Sequence, residues 1–370
     1  MRVLFDHQIF VQQRHGGISR YFAELATGLA GAPAMRPTVV APWHRNAHLR
    51  AVPSSLLRGG YSASALVETR LFDRLVRAPR LAALYREVGT VDVVHETYYG
   101  AAPVGRGRAR VVTVFDMIHE REPAASAAPG QAAVSREKRA AVTRADHIIC
   151  ISAATRDDLC RLFDIDPSRT SVVHLGATVP PRVEAGASPG TASGARPILL
   201  YVGKRDGYKN FDAMLRGIAG APRLREAVEV VAFGGGPFTM EERRRIGAIG
   251  LAARVRQVGG DDDALAVWYR RAFALVYPSR LEGFGLPPLE AMGHDCPVLC
   301  SAAGAIPEVV GEAGVYFDPA DPASIAAAIE RVLDSDETRA MLVRAGRARV
   351  AEFTWARCVE RTREIYRRFA

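Results

Sequence analysis

Short apolar runs alternate along the chain with longer stretches of helical periodicity. In the first half RVLFD (2–6), PTVVAP (37–42), VDVVHE (91–96), RVVTVFD (110–116), HIICIS (147–152) and TSVVHLG (170–176) read as strands. Several are continuously apolar, the pattern of strands covered on both faces of a parallel sheet. Between them, residues 18–31 repeat apolar side chains at Ile18, Phe22, Leu25 and Leu29, and residues 135–145 also read as helix. PPRVEAGASPGTASGARP (180–197), rich in Pro, Gly, Ser and Ala, then reads as a linker. After it the alternation restarts with ILLYVG (198–203), VEVVAFGG (228–235), VRQVGG (255–260), ALVYPS (274–279), PVLCS (297–301) and AGVYFDP (313–319). Two βα series predict two doubly wound, Rossmann-like α/β domains, 1–180 and 198–351 about a linker at 181–197. Ligands of such sheets sit beyond the carboxyl ends of the strands, so both sets of ends are expected to face a central cleft.

Composition narrows the class. No apolar run approaches the roughly 18 residues that span a bilayer, and MRVLFD lacks the marks of a signal peptide, so a cytoplasmic protein is expected. Five cysteines with no CxxC spacing argue against a disulfide framework or a zinc site. The net charge is +9 and unevenly placed: residues 36–86 carry nine arginines and two acids. That excess suggests an anionic partner, although ordinary solvated arginine gives the same count. Within it, residues 65–88 place Val67, Leu71 and Leu75 four apart, with Phe72 and Val76 beside them and Arg70, Arg74 and Arg77 adjoining. This reads as a basic amphipathic helix at an anionic membrane, or as a helix resting its apolar stripe on the N-terminal sheet.

The densest chemistry lies in PSRLEGFGLPPLEAMGHDCPVLCS (278–301). Glu282 and Glu290 are separated by seven residues, Gly283 and Gly285 let backbone approach a ligand, and Pro287 and Pro288 suit a helix start. Glu290 is expected in the first turn of that helix, whose amides and dipole favour an anion. In YVGKRDGYKNFDAML (201–215) a strand ends at Gly203, followed by Lys204, Arg205 and Lys209, cations suited to clamping a diphosphate. DDD (261–263) reads as a helix start rather than a metal motif.

This pattern resembles the paired-glutamate motif of the family four retaining glycosyltransferases, with the GT-B fold, bacterial polysaccharide and O-antigen mannosyltransferases in particular. The resemblance places Glu282 beside the donor sugar and Glu290 on ribose hydroxyls, with Gly283, Phe284, Gly285 and Leu286 lining the donor site. It gives Lys209 the leaving diphosphate, with Arg205 or Lys204 as first basic partner; Arg205 is favoured for its bidentate fork. Gly16 and Gly17 resemble the family's N-terminal glycine loop, with Arg20 following. Gly234 and Gly235 resemble a turn beside the donor, Gln257 and Val258 the segment that meets the base, and residues 352–369 the C-terminal helix that crosses back to the N-terminal domain.

Many members carry a histidine where Phe115 stands; Asp116 is expected to contact a sugar, and His95 and His119 to line the acceptor side. The resemblance implies metal-independent transfer of a hexose with retention and no cofactor. The donor is a nucleoside-diphosphate sugar, GDP-mannose first with uridine donors open; the acceptor is a saccharide or lipid-linked saccharide. The location expected from the N-terminus and the charge placement is cytoplasmic, peripheral at the inner membrane face if the basic segment meets lipid. Rival classes are a sugar-nucleotide 2-epimerase on a similar scaffold and a basic nucleic-acid-binding protein. The second is disfavoured because residues 36–86 interleave few aromatics beyond Trp43 and Tyr61.

Overall fold

A computed structural model describes residues 1–122, 131–178, 196–205 and 207–370, the side chains of Arg70 and Gln131 excepted. It divides into two units, Met1–Gly176 with Trp355–Ala370, and Ala177–Thr354. All but two residues of the 180–197 stretch, Arg196 and Pro197, lie outside the described residues.

The first unit is built on β1 (Arg2–Phe5), β2 (Arg36–His44), β3 (Leu57–Tyr61), β4 (Thr90–Glu96), β5 (Arg106–Val114), β6 (His147–Cys150) and β7 (Thr170–Val172). They form one parallel sheet in the order β3-β2-β1-β4-β5-β6-β7. The continuously apolar runs sit where sterics demand, with Val93, Val94, Val111, Val112, Ile148 and Ile149 wholly inaccessible. The helix Gly17–Ala30 buries Tyr21, Phe22, Leu25 and Leu29. The C-terminal helix Trp355–Arg367 packs along it within this unit. The approach is close at Gly28, where a Cβ would fall 2.5 Å from Val359 Cγ2.

Three features differ from the sequence reading. The last strand ends at Val172 rather than Gly176. Strand β3, LRGGY, carries no legible pattern: it is five residues with two glycines, mostly exposed, and exists through edge pairing with β2. Residues 65–88 are not one amphipathic helix but a 3-10 turn (Ala65–Glu68), a helical turn (Arg70–Phe72), a π-helical turn (Asp73–Arg77) and a helix (Ala78–Val88). Arg77 does not face outward. It is buried, paired with Asp73 and donating to the Val67 carbonyl. The side chain of Arg70 lies outside the described part.

The second unit holds β8 (Ile198–Val202), β9 (Glu229–Phe233), β10 (Val255–Val258), β11 (Ala274–Tyr277), β12 (Val298–Ser301) and β13 (Gly314–Phe317). The parallel order is β10-β9-β8-β11-β12-β13. Its core gathers Leu199, Met214, Ile218, Val230, Leu299, Ile325 and Ile329. Strand order reverses between β1 and β4 in one sheet and between β8 and β11 in the other, the places where loops diverge and open α/β sheets hold ligands. Among the described residues no helix is long and apolar enough to cross a membrane. The cysteines are all free, four of them buried.

Candidate active site

At the switch point of the second sheet the strand ends are tied to one another. Gly203, after β8, donates its N–H to the Phe233 carbonyl at 3.0 Å, and Gly234, after β9, donates to the Val258 carbonyl at 3.0 Å. The turn beyond β9 places Gly234, Gly235 and Gly236 at φ of +86°, +68° and +71°. Three consecutive left-handed residues are accessible without strain only to glycine, which explains the triplet.

Arg205 threads into that turn. Nη1 donates to the Gly234 carbonyl at 2.8 Å, Nη2 to the Gly235 and Pro237 carbonyls at 3.3 Å, and Nε to Glu242 Oε1 at 2.7 Å. Its side chain is 4% exposed and its guanidinium lies over the Phe238 ring. Glu242 also closes a capping box with Thr239 at the start of the helix Met240–Ala248. Its carboxyl is held below the usual glutamate range, first by the Arg205 hydrogen bond. Arg205, expected to offer its fork to a diphosphate, here turns that fork onto the glycine turn and Glu242. Lys204, next to it, is exposed, and its ammonium has no partner among the described residues.

Lys209 closes the 3-10 turn Gly207–Lys209 and donates from Nζ to Glu282 Oε1 at 2.6 Å, across 73 positions of sequence. The pair is mostly buried, with the ammonium 5.5 Å from the Tyr277 ring centre. Backbone and side-chain bonds fix the two loops together. Arg280 N–H donates to the Tyr208 carbonyl at 2.8 Å, and the Asn210 amide donates to the carbonyls of Pro278 and Pro319 at 3.1 and 2.7 Å. Ala305 N–H holds the Glu282 carbonyl at 3.2 Å.

Beyond Glu282, the Gly283 backbone is buried and Phe284 turns its ring edge-on to Phe353 at 5.9 Å. Gly285, at φ +124°, caps the helix Leu286–Gly293, with prolines in its first turn. Glu290 lies in the second turn, not the first, because the helix starts at Leu286. Tyr269 Oη donates to Glu290 Oε2 at 3.0 Å. The Tyr269 and Tyr277 phenols are pushed well above their ordinary value, by burial first and then by Glu290 and Glu282 respectively. Gln257 turns its amide back, donating to the Val258 carbonyl at 2.6 Å, and the half-buried Val258 ends β10. Asp261 accepts from Ala264 N–H at 3.0 Å and caps the helix Asp262–Arg271, so DDD starts a helix.

In the first unit, Gly16 is the N-cap of the helix Gly17–Ala30, and Arg20 follows in its first turn, half-buried. Asp116, just past β5, is one-third exposed, its Oδ1 accepting from Ile118 N–H at 3.1 Å. Lys138, 1% exposed, donates to the Asp116 carbonyl at 2.9 Å and to Glu120 Oε2 at 2.8 Å. His119, half-buried, lies in the short helix Ile118–Arg121. Phe115 is packed edge-on against Tyr21 at 5.5 Å.

His95 is not on an acceptor surface. It is wholly buried among Phe5, Phe22 and Tyr366, with Nε2 2.8 Å from Thr113 Oγ1 and Nδ1 bonded to Tyr366 Oη. Burial lowers its imidazole to about 3. It is a neutral hydrogen-bond bridge that ties the C-terminal helix to β4 and β5.

Sequence reasoning passed over Lys138, Tyr269, Tyr277 and Glu242. The first three sit singly in segments that read as ordinary helix or strand. Glu242 had a signal, the Thr239-x-x-Glu242 capping box.

A doubly wound sheet whose switch point gathers two glutamates, two lysines and a glycine turn is an α/β site built for a phosphorylated ligand. Residues 188–349 match the family described as glycosyl transferases group 1, and residues 15–179 match glycosyltransferase family 4. D-inositol 3-phosphate glycosyltransferase 1 of Catenulispora acidiphila is 30% identical over 315 residues, covering 77% of this chain and 74% of that protein. O-antigen chain mannosyltransferase B of Escherichia coli is 30% identical over 239 residues, covering 60% of each chain. The solved structure of sucrose-phosphate synthase from Thermosynechococcus elongatus superposes with a TM-score of 0.74 at 21% identity, covering 100% of this chain and 98% of that one. The chain belongs to the group 1 glycosyltransferases, with two parallel-sheet α/β domains of the GT-B fold. It transfers a sugar from a nucleotide sugar, and nothing in these likenesses supports a 2-epimerase.

Proposed function

We propose that this glycosyltransferase moves a hexose, mannose or a close relative, from a nucleoside-diphosphate sugar to a saccharide or lipid-linked saccharide. Transfer proceeds with retention and without a metal ion. The observation that carries the reading is the Lys209–Glu282 pair, 2.6 Å apart at the switch point of the C-terminal sheet. Glu282 holds Lys209 at the carboxyl end of β8, where a diphosphate meets Lys204, Lys209 and the amides at the start of Leu286–Gly293. Glu290, oriented by Tyr269, takes the ribose hydroxyls. Gly16, Gly17, Arg20, Asp116 and His119 serve the phosphates, the sugar and the acceptor from the N-terminal domain, as the family resemblance implies. His95 is withdrawn from that set.

In the reaction the acceptor hydroxyl oxygen bonds to the anomeric carbon while the bond from that carbon to the β-phosphate oxygen breaks. The departing phosphate takes the hydroxyl proton, on the same face, so configuration is kept. The two lysines balance the charge that grows on the diphosphate, the task a metal ion performs in other transferases. The mannosyltransferase relative favours mannose as the transferred sugar, while the inositol 3-phosphate relatives leave the acceptor class wide.

A thermal-shift panel of sugar nucleotides identifies the donor. Transfer to a matching acceptor, followed by NMR of the new anomeric linkage and repeated in excess chelator, then tests the rest. Retention with undiminished chelated activity is expected. Inversion, or loss restored by manganese, would overturn the mechanism.

A further inference from the structure

Strand β5 ends at Val114, and the two residues after it lean on side chains. Tyr99 Oη accepts from Phe115 N–H at 3.3 Å, and Lys138 Nζ donates to the Asp116 carbonyl at 2.9 Å. The same ammonium donates to Glu120 Oε2 at 2.8 Å and lies 3.9 Å from Asp116 Oδ1 and 5.4 Å from the Tyr99 ring centre. One lysine of the helix Gln131–Arg144 thus grips both the end of β5 and the short helix Ile118–Arg121, which carries His119 and Glu120.

Packing does not ask for a lysine at this position. Residue 138 shares a helix face with Ala141 and Val142, which are buried in a hydrophobic cluster with Tyr99 and Val114. A methionine would serve that cluster with no charge to desolvate. Burying an ammonium with a carboxylate often costs as much as their attraction returns, so stability alone does not account for the pair. Asp116 differs from its two buried partners. It is one-third exposed, with Oδ1 taken by Ile118 N–H at 3.1 Å and Oδ2 without a hydrogen bond among the described residues. Its main chain is gripped from beneath while one carboxyl oxygen stays open.

We propose that Lys138 is a positioning residue of the transfer reaction. By holding the Asp116 carbonyl and Glu120 together, it fixes the turn between β5 and Ile118–Arg121, so that the open oxygen of Asp116 meets a sugar hydroxyl in one orientation. Glu120 supplies the countercharge that lets the ammonium stay buried. The proposal rests on the reading that Asp116 contacts a sugar. It adds that the reach of that carboxyl is set by a residue that never touches substrate.

Lys138→Met alone strands Glu120, whose Oε1 already has no partner among the described residues, and should lower the unfolding midpoint. The pair Lys138→Met, Glu120→Leu removes both charges and should restore that midpoint. Activity is read in the full chain as transfer from the sugar nucleotide that thermal shift selects, GDP-mannose first, to methyl α-mannoside. The pair variant should fold as wild type yet lose about 10²-fold in kcat/KM, the cost of a small misplacement in a reacting complex. Its affinity for GDP, read by calorimetry, should be unchanged. Asp116→Asn should lose at least as much activity. Adding the pair to Asp116→Asn should then change the rate by no more than about twofold, because the lysine acts through that carboxyl. A lysine that served stability alone would return activity together with the midpoint, or cost the same factor in both backgrounds. Either result overturns the proposal, as does a pair variant that stays destabilised. Wild-type transfer by Asp116→Asn removes the reading of Asp116 and the proposal with it, whereas the other three results leave Asp116 on the sugar, so the two failures are told apart.

Discussion

Among single residues the sharpest contrast is between two neighbours. Lys204 is exposed, its ammonium without a partner among the described residues, whereas Arg205 has Nε, Nη1 and Nη2 all engaged with Glu242 and the glycine turn. If the lysines balance the leaving group, Lys209→Ala lowers kcat on the order of 10²–10³-fold, as removal of one preorganised electrostatic donor does elsewhere. Lys204→Ala then follows in the same direction. Arg205→Ala acts differently, by loosening the turn, and Glu242→Ala reproduces it. Steady-state kinetics of the double variant is the check: the Arg205 and Glu242 effects should fall well short of additive. A silent Glu242→Ala beside a crippled Arg205→Ala would return Arg205 to the diphosphate. Glu290 and Tyr269 form a second coupled pair. Tyr269→Phe removes one hydrogen bond to a carboxylate and should weaken nucleoside-diphosphate binding about 5- to 20-fold by calorimetry. Glu282→Gln should leave that affinity nearly intact and lower turnover instead.

At the level of elements, the glycine turn after β9 is where local conformation and site assembly meet. A Cβ at Gly235 would lie 2.6 Å from Arg205 Nη1, at a backbone φ of +68°. Gly235→Ala should therefore cost roughly 1–3 kcal/mol in urea unfolding and weaken donor binding in the same protein. Stability loss with unchanged donor affinity would separate the turn from the site. The elements also show what a sequence makes legible. Buried parallel strands such as HIIC and ALVY announce themselves because both faces must be apolar. The Glu-x7-Glu spacing with its glycines and prolines is equally plain, since each residue type is demanded locally. Strand β3 is not legible, because LRGGY is ordered by its neighbour rather than by its own pattern. Nor could the fates of His95 and Arg205 be read. A polar residue at a strand end points to a ligand or to the core according to which distant side chains meet it, here Tyr366 and Glu242. The segment after Leu66 was legible in composition but not in geometry: its arginines were counted as a set, and one of them is the buried anchor.

For the whole molecule, the histidines are unevenly placed. Burial lowers His7, His44 and His147 to about 4 and His95 to about 3, and all four belong to the first unit. The second unit holds a single histidine, His294, also lowered by burial. An imidazole whose folded value lies below its free value of about 6.5 stays neutral in the native state while the unfolded chain takes up a proton. Between that free value and the folded value the unfolded state binds more protons, so stability falls as pH falls. Asp6 and Glu96, whose carboxyls burial raises, pull the other way, because their protonation favours the folded form in acid. Two such groups in the first unit offset part of four imidazoles, and the depressed carboxylates Glu242 and Asp334 of the second unit act only below about pH 4.5. From pH 6.5 to 4.5 the first unit should therefore lose stability ahead of the second. Hydrogen exchange read by mass spectrometry, corrected for the intrinsic pH dependence of exchange, resolves the two. Peptides from β4, β5 and the C-terminal helix should lose protection first, because His95 bridges Thr113 and Tyr366 only while neutral and takes up its proton once that buried link has opened. Earlier loss in peptides from β8, β9 and β11, or simultaneous loss throughout, would show that these histidines do not set the acid limit of the fold.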